Sequence, residues 1–409
     1  MSEKLLKRKF PNPKDFQSLL KFKKVQFSPR KRRLANAHSI ADLRNIAKKT
    51  TPSEPFDYTD GGADDEISMQ RARDAFREIE FQPRILEDVS KANLKVDLFG
   101  KTSNLPFGIA PTGFTRMMHS EGEYAGATAA AEAGIPFSLS TMGTRSIEEV
   151  EQVAPTGRNW FQLYMWKDRE RSQQLIQRAA QAGYDTLMVT VDVPVAGNRM
   201  RDKRNGMTIP PTLTAKTLIG AIPRVEWWWN FLTTDPLVFA SLDTWDGTVA
   251  ELLDFMFDPT VQIEDLQWIR QQWTGKLIVK GIQTVADARR VVDAGADAVL
   301  LSNHGGRQLD RAPVPFLLLP DVVKEVGKDV PVHVDTGILS GMDIVACFAQ
   351  GASFTYIGRA YLYGLMAGGV DGVRKSIEIL ESEVSRTMKL VGVHDLRELE
   401  PEHLQLLTP

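Results

Sequence analysis

Ala298-Val299-Leu300-Leu301-Ser302-Asn303-His304-Gly305-Gly306-Arg307 is the stretch on which the fold reading turns. A short apolar run of β-strand composition ends abruptly in a polar loop opened by two glycines. The loop, which continues into Gln308, sets an imidazole and a guanidinium three residues apart, just past a strand end. Histidine titrates near neutral pH and takes up a proton. Arginine is a fixed cation that grips a carboxylate through two parallel hydrogen bonds. A base beside a carboxylate clamp points to chemistry at the carbon next to a carboxylate.

The same pattern of an apolar run with a polar end recurs along the chain. Runs at 106–113, 136–141, 159–165, 186–192, 276–281, 298–304, 331–337 and 354–359 alternate with helical stretches. They end in Thr112, Ser140, Gln162 and Tyr164, Thr190 and Asp192, Lys280, His304, Asp335, and Arg359. Eight strand-helix units predict an α/β fold, a (β/α)8 TIM barrel, whose site gathers at the C-terminal ends of the strands. The alternative, a doubly wound open sheet, concentrates its ligand at one switch point and leaves most of these polar ends without a purpose. Ser120-x-x-Glu123 and Ser146-x-x-Glu149 predict capping boxes, and Gly134, Gly295 and Gly351 predict helix stops. Two regions fall outside the alternation. Residues 1–37 form a basic N-terminal extension, and 38–409 the barrel domain, which opens with a pre-barrel cap over 38–105. Residues about 198–265 are too long for an ordinary strand-helix connection and predict a lid after the fourth strand; they contain Pro210-Pro211 and Trp227-Trp228-Trp229.

Composition narrows the class. The chain has 409 residues, 43% hydrophobic and 25% charged, which suits one large core. One cysteine, Cys347, lies in an apolar run and cannot staple the fold. No stretch has signal-peptide character or bilayer-spanning length, so a cytoplasmic protein is expected. Charge is uneven. Residues 2–33 hold twelve Lys/Arg against Glu3 and Asp15, and Phe10, Phe16, Phe22 and Phe27 are interleaved. Such an arm suits peripheral contact with an anionic membrane surface on the inner face, or a solvated tail that packs its rings on the body. Nucleic acid is not an expected partner, and no metal-ligand pattern is present.

Ser302-Asn303-His304-Gly305-Gly306-Arg307-Gln308, with Ile278-Val279-Lys280-Gly281 before it and Asp335-Thr336-Gly337 after it, resembles the FMN-dependent α-hydroxy-acid dehydrogenase and oxidase family. The resemblance runs from about Phe56 to about Leu399 in family order, and the chain reads most like the bacterial L-lactate dehydrogenases of that family. It implies FMN-dependent oxidation of L-lactate, or a small L-2-hydroxy acid like it, to pyruvate. A quinone-type acceptor and a homo-oligomer, a tetramer, come with it. Elementary chemistry agrees on the need for a cofactor, because side chains are poor two-electron acceptors. No Gly-x-Gly-x-x-Gly turn opens a first βαβ unit, which weakens a nicotinamide reading.

The resemblance also implies roles. His304 matches the base, Asp192 the carboxylate that supports its imidazolium, and Tyr164 a hydrogen bond near the reacting hydroxyl. Arg199, Arg307 and Tyr58 match the substrate-carboxylate contacts. Lys280 offsets negative charge on reduced flavin. Ala110, Pro111, Thr112, Ser140, Gln162 and Thr190 match the isoalloxazine contacts, and Ser302, Asp335 and Arg359 the ribityl-phosphate chain. Gly337 and Gly358-Arg359 lie where barrels commonly hold a phosphate, past strands seven and eight.

Two departures stand out. Family members carry an Arg where this chain has Leu339, so either Arg359 and backbone N–H groups hold the phosphate or another cation substitutes. Gly113 stands where many members have Ala. A missing methyl predicts room near the flavin and keeps an oxygen-using activity, 2-monooxygenase or oxidase, as the alternative. A more distant alternative is an FMN-barrel isomerase of a phosphorylated substrate.

Overall fold

The computed structural model describes residues 10, 12, 14, 27–205, 224–240 and 257–407. Eight parallel strands close into a barrel: β1 Phe107–Ile109, β2 Pro136–Ser140, β3 Arg158–Tyr164, β4 Thr186–Thr190, β5 Lys276–Ile282, β6 Ala298–Leu301, β7 Val332–Val334 and β8 Phe354–Ile357. Each pairs with its neighbours in chain order, and β8 closes on β1 through Tyr356 opposite Gly108. All eight predicted strands are present and none is out of order.

The strands are largely apolar because both of their faces are covered, with polar residues mainly toward their ends. In β4, alternate residues face opposite ways. Met188 points into the barrel with Trp160, Ile278, Leu300 and Phe354, while Leu187 and Val189 join the outer core under the helices. The barrel floor is closed from before β1 by a hairpin, Val96–Leu98 with Lys101–Ser103. Leu98 and Phe99 pack on that inner cluster, with the Phe99 ring centroid 6.4 Å from Trp160. Earlier helices cover the side: Thr50 Oγ of the helix Ile40–Thr50 donates at 3.0 Å to Met366 O of Arg359–Val391, a helical run broken by a kink at Gly368 and Gly369.

Except in β5, which reaches Ile282, the predicted strand ends run longer than the observed ones. β6 stops at Leu301, and Ser302 to His304 leave the ladder to turn over the barrel mouth. The Ser146/Glu149 capping box forms as predicted. The Ser120/Glu123 one does not. That helix begins at Gly122, and Glu123 is drawn inward to accept from Thr144 N at 2.7 Å and Thr144 Oγ at 2.6 Å. A buried pair of orphan donors outcompetes a surface cap. Cys347 is buried and free.

Of the lid, residues 198–205, 224–240 and 257–265 are described; Pro210-Pro211 lies outside the described residues. One lid helix, Val225–Thr233, docks on the body through Trp227, whose Nε1 donates to Met117 O at 3.1 Å and Met118 O at 3.2 Å. Phe231 stacks on Trp227 at 4.9 Å. Trp229 and Leu232 point outward, each 69% exposed. Phe10 and Phe27 of the extension are also exposed rather than packed on the body; Phe16 and Phe22 lie outside the described residues. Among the described residues no helix is long and apolar enough to cross a membrane.

Candidate active site

All eight strand ends open into one cavity of about 640 Å³. Its wall carries Tyr58, Ala110, Pro111, Thr112, Ser140, Tyr164, Arg199, Lys280, His304, Arg307, Asp335, Gly337, Gly358 and Arg359. The other expected residues stand one layer behind. Asp192 bonds to His304, Ser302 to Lys280, Gln162 to Ser140, and Thr190 to Gln162.

The turn after β6 is built by three successive left-handed residues, His304, Gly305 and Gly306, at φ 60°, 67° and 71°. Only glycine takes this conformation freely, and strain of this kind gathers at functional sites. At Gly306 a side chain is excluded twice over, because its Cβ would lie 2.7 Å from Met69 N. Ser302 Oγ accepts from His304 N at 3.1 Å, and Thr336 Oγ accepts from Gly305 N at 3.2 Å. The turn therefore presents His304 in one orientation.

His304 Nδ1 lies 3.1 Å and 3.3 Å from the two Asp192 oxygens, and Nε2 lies 3.4 Å from Tyr164 Oη. An acceptor at Nδ1 selects the tautomer with its lone pair on Nε2. Burial, with Lys280 and Arg307 adding to it, holds the imidazolium below the usual histidine range despite Asp192. Burial opposes ionisation of Asp192, but His304 and Lys280 outweigh it and keep that carboxyl below the usual carboxylate range. Burial and Asp192 push the Tyr164 phenol up, so it remains a donor. The result is a neutral, oriented base facing a cavity.

Arg307 and Arg199 flank the Tyr58 ring, their guanidinium carbons 4.6 Å and 5.0 Å from its centroid. Burial, then the neighbouring Arg199, pushes Arg307 down to about 10, which leaves it charged at neutral pH. Asp202 is the nearest counter-ion, 3.4 Å from Arg199 Nε. Two cations gathered around one ring beside a base make a binding point for an anion.

Lys280 is buried at the cavity floor, its Nζ 2.9 Å from Ser302 Oγ and 3.5 Å from Asp335 Oδ2. Ser140, Gln162 and Thr190 form a hydrogen-bonded chain across β2, β3 and β4 at 3.0 Å per link. Thr112 Oγ meets Tyr361 Oη. Arg359 is more committed than expected. Its Nε, Nη1 and Nη2 donate to the carbonyls of Thr59, Gly305 and Gly61 at 2.9, 2.8 and 2.7 Å. The space expected beside Gly113 is taken: a Cβ there would lie 2.6 Å from Met142 Cβ.

Residues 47–406 match the FMN-dependent dehydrogenase family. The chain belongs to the FMN-dependent α-hydroxy-acid dehydrogenases. It is 60% identical to a protein of Mycobacterium tuberculosis provisionally named an L-lactate dehydrogenase, over 98% of this chain and 97% of that one. It is 39% identical to an L-lactate dehydrogenase of Caulobacter sp. strain K31, over 88% of this chain and 97% of that one. The crystal structure of the monotopic membrane protein (S)-mandelate dehydrogenase superposes with a TM-score of 0.87 at 38% identity, covering 91% of this chain and all of that one. The chain is thus an FMN enzyme of this family.

The cavity fits FMN by its donor set. The helix Arg359–Val391 starts at the cavity edge with no side-chain cap, and its first N–H groups are free to meet an anion. A Cβ at Gly358 would meet only Ala110 Cβ, at 3.9 Å, so a ligand can approach the backbone there. Three residues of the site were not singled out from sequence. Thr336, at φ 75°, carries the hydroxyl that holds Gly305. Gln308 donates to Val195 O at 2.9 Å and ties the segment after β4 to the His304 loop. Phe257, at the end of the lid region, meets the Tyr164 ring edge-on at 5.8 Å. None has a spacing that marks it in sequence.

Proposed function

We propose that this enzyme oxidises L-lactate, or a closely similar small L-2-hydroxy acid, to pyruvate or its analogue, and passes the electrons to a quinone-type acceptor. The observation that carries the reading is the placing of a neutral, carboxylate-oriented imidazole beside two guanidiniums on one ring. Arg307 and Arg199 bind the substrate carboxylate, with Tyr58 between them. His304 Nε2 takes the hydroxyl proton, and Asp192 stabilises the imidazolium that forms. Tyr164 donates to the reacting oxygen. Bound FMN supplies the two-electron acceptor for the α-carbon. Lys280 and the Ser140–Gln162–Thr190 chain hold the flavin edge, and Lys280 places positive charge where negative charge grows. Gly337, Gly358 and the start of Arg359–Val391 receive the phosphate, with Ser302 and Asp335 along the ribityl chain.

The lactate reading is supported by relatives at 39% and 60% identity that bear that name. The monooxygenase alternative drew on the missing methyl at Gly113; a methyl there would meet Met142 Cβ at 2.6 Å rather than open space, which favours the dehydrogenase reading. For location, we read the enzyme as cytoplasmic and peripheral on the membrane, held by the outward face of the helix Val225–Thr233 and the basic extension. A homo-oligomer belongs to the same reading. The test is anaerobic stopped-flow reduction by L-lactate, D-lactate and (S)-mandelate, then reoxidation by O₂ against a soluble quinone. Fast reduction by L-lactate alone and faster reoxidation by quinone support the proposal. Preference for mandelate, or acetate and CO₂ as products in air, would sink it.

A further inference from the structure

The phosphate end of the cavity has a cation that its strand-end loops lack. Barrels bind phosphate past strands seven and eight. Here the loop after β7 contributes Gly337, Ile338 and Leu339 to the wall, and none of them is charged. Arg359, after β8, spends three of its donors on backbone carbonyls. Arg44 and Arg201 are drawn to Asp60, at 2.5 Å and 3.0 Å. A phosphate dianion in a partly buried site needs more than this.

Arg73 stands at that place. It comes from the helix Ile67–Arg77, outside the barrel, which presses on the β7 loop so closely that a Cβ on Gly337 would lie 3.0 Å from Ala72 O. Arg73 Nη1 donates to Gly337 O and, at 2.7 Å, to Asp343 Oδ2. Asp343 already accepts from Leu339 N and Ser340 N at 2.8 Å and 2.9 Å, so it braces the loop and the guanidinium together. Nε and Nη2 of Arg73 have no protein partner among the described residues. Arg73 lines the cavity, and its side chain is 23% exposed.

We propose that Arg73 is the phosphate-binding cation of this enzyme: a pre-barrel helix supplies the charge that Leu339 does not. Gly337 O and Asp343 orient the fork, and its unengaged N–H groups meet the FMN phosphate. The residue binds the cofactor and takes no part in proton transfer. A purely structural Arg73, clamping Asp343 and the loop, predicts equal effects on any flavin.

The experiment compares flavins that differ only in the phosphate. Full-length enzyme as purified is equilibrated with a mixture of FMN and riboflavin, and the bound flavins are separated and quantified. A hydrogen bond to a charged group is worth about 1.5–3 kcal/mol. Arg73→Met should therefore shift the bound FMN-to-riboflavin ratio about 10- to 100-fold toward riboflavin. The ratio reports on folded molecules only, so partial unfolding does not mimic the effect. Arg73→Lys keeps a charge for Asp343 and loses the fork, and should shift the ratio in the same direction by about 10-fold. Leu339→Arg added to Arg73→Met should restore the preference for FMN. An unchanged ratio in both single variants, or no rescue by Leu339→Arg, would overturn the assignment. These outcomes are independent of which 2-hydroxy acid is the substrate.

Discussion

Asp192 and His304 meet at 3.1 Å across the barrel mouth, the carboxylate fully buried and the imidazole edge open to the cavity. Their contact joins the end of β4 to the end of β6, so the imidazole is oriented by a neighbouring strand end as well as by its own turn. Lys280, between them on β5, limits how far Asp192 can raise the histidine pKa. The imidazole is thereby kept as a free base at neutral pH.

That balance sets the acid limb of the rate. With neutral His304 as the proposed base and burial holding its pKa below the usual histidine range, the acid limb of kcat/KM should lie at lower pH than an ordinary histidine would give. Asp192→Asn removes the charge that raises the His304 pKa; the limb should move further to acid while the rate falls. His304→Gln should keep FMN bound and lose about 10²- to 10⁴-fold in flavin reduction. Near-normal reduction in that variant would exclude His304 as the base.

The clamp predicts an alkaline limb. Arg307 deprotonates near pH 10, and as pH rises through that value the anion loses one of its cations. KM for the hydroxy acid should rise there with little change in kcat. Arg307→Lys should damage catalysis although charge is kept, because the planar fork is lost. Arg199→Met should chiefly raise KM. Wild-type steady-state kinetics in both variants would place the carboxylate elsewhere.

Gly113 bears on packing. A β-carbon there would overlap Met142 Cβ, and overpacking of this kind costs about 1–3 kcal/mol. Gly113→Ala should lower Tm, and adding Met142→Ala should recover little of the loss, because alanine keeps the Cβ that the new methyl meets. Reoxidation by O₂ should change little, because no gap is being closed. A large fall in the O₂ rate with no loss of Tm would restore the steric reading made from sequence.

Membrane contact separates into two terms. Val225, Trp229 and Leu232 fall at i, i+4 and i+7 and are all exposed on one helix face, whereas Trp227 is committed to Met117 and Met118. Trp229→Ser with Leu232→Ser should weaken liposome co-sedimentation at every salt concentration, since each apolar side chain contributes about 1.5–3 kcal/mol when buried. Removing residues 1–26, which leaves the helix Pro29–Ala35 and its Arg33–Glu226 pair at 2.9 Å in place, should abolish only the salt-sensitive part, about 1 kcal/mol per basic residue at the surface. Trp227→Ser should instead lower Tm. Full-length enzyme that stays in the supernatant with anionic liposomes at low salt would end the membrane proposal.

The sequence by itself determined the barrel and many of the residues that stand at its mouth. Eight apolar runs with polar ends are a one-dimensional signal, because in a parallel barrel each strand must be apolar on both faces and must stop where the site begins. Lys280 near the end of β5, Asp335 directly after β7, and His304 and Arg307 in the loop after β6 were legible for that reason. What only the tertiary structure decided are relations between elements far apart in the chain. Glu123 leaves its expected cap because Thr144 offers it buried donors. Met142 fills the space beside Gly113 because β1 and β2 lie side by side. Arg73 reaches the β7 loop because a helix from before the barrel is folded down onto it. Local composition specifies which residues can sit at a strand end; which distant side chain meets them depends on how the surrounding helices pack.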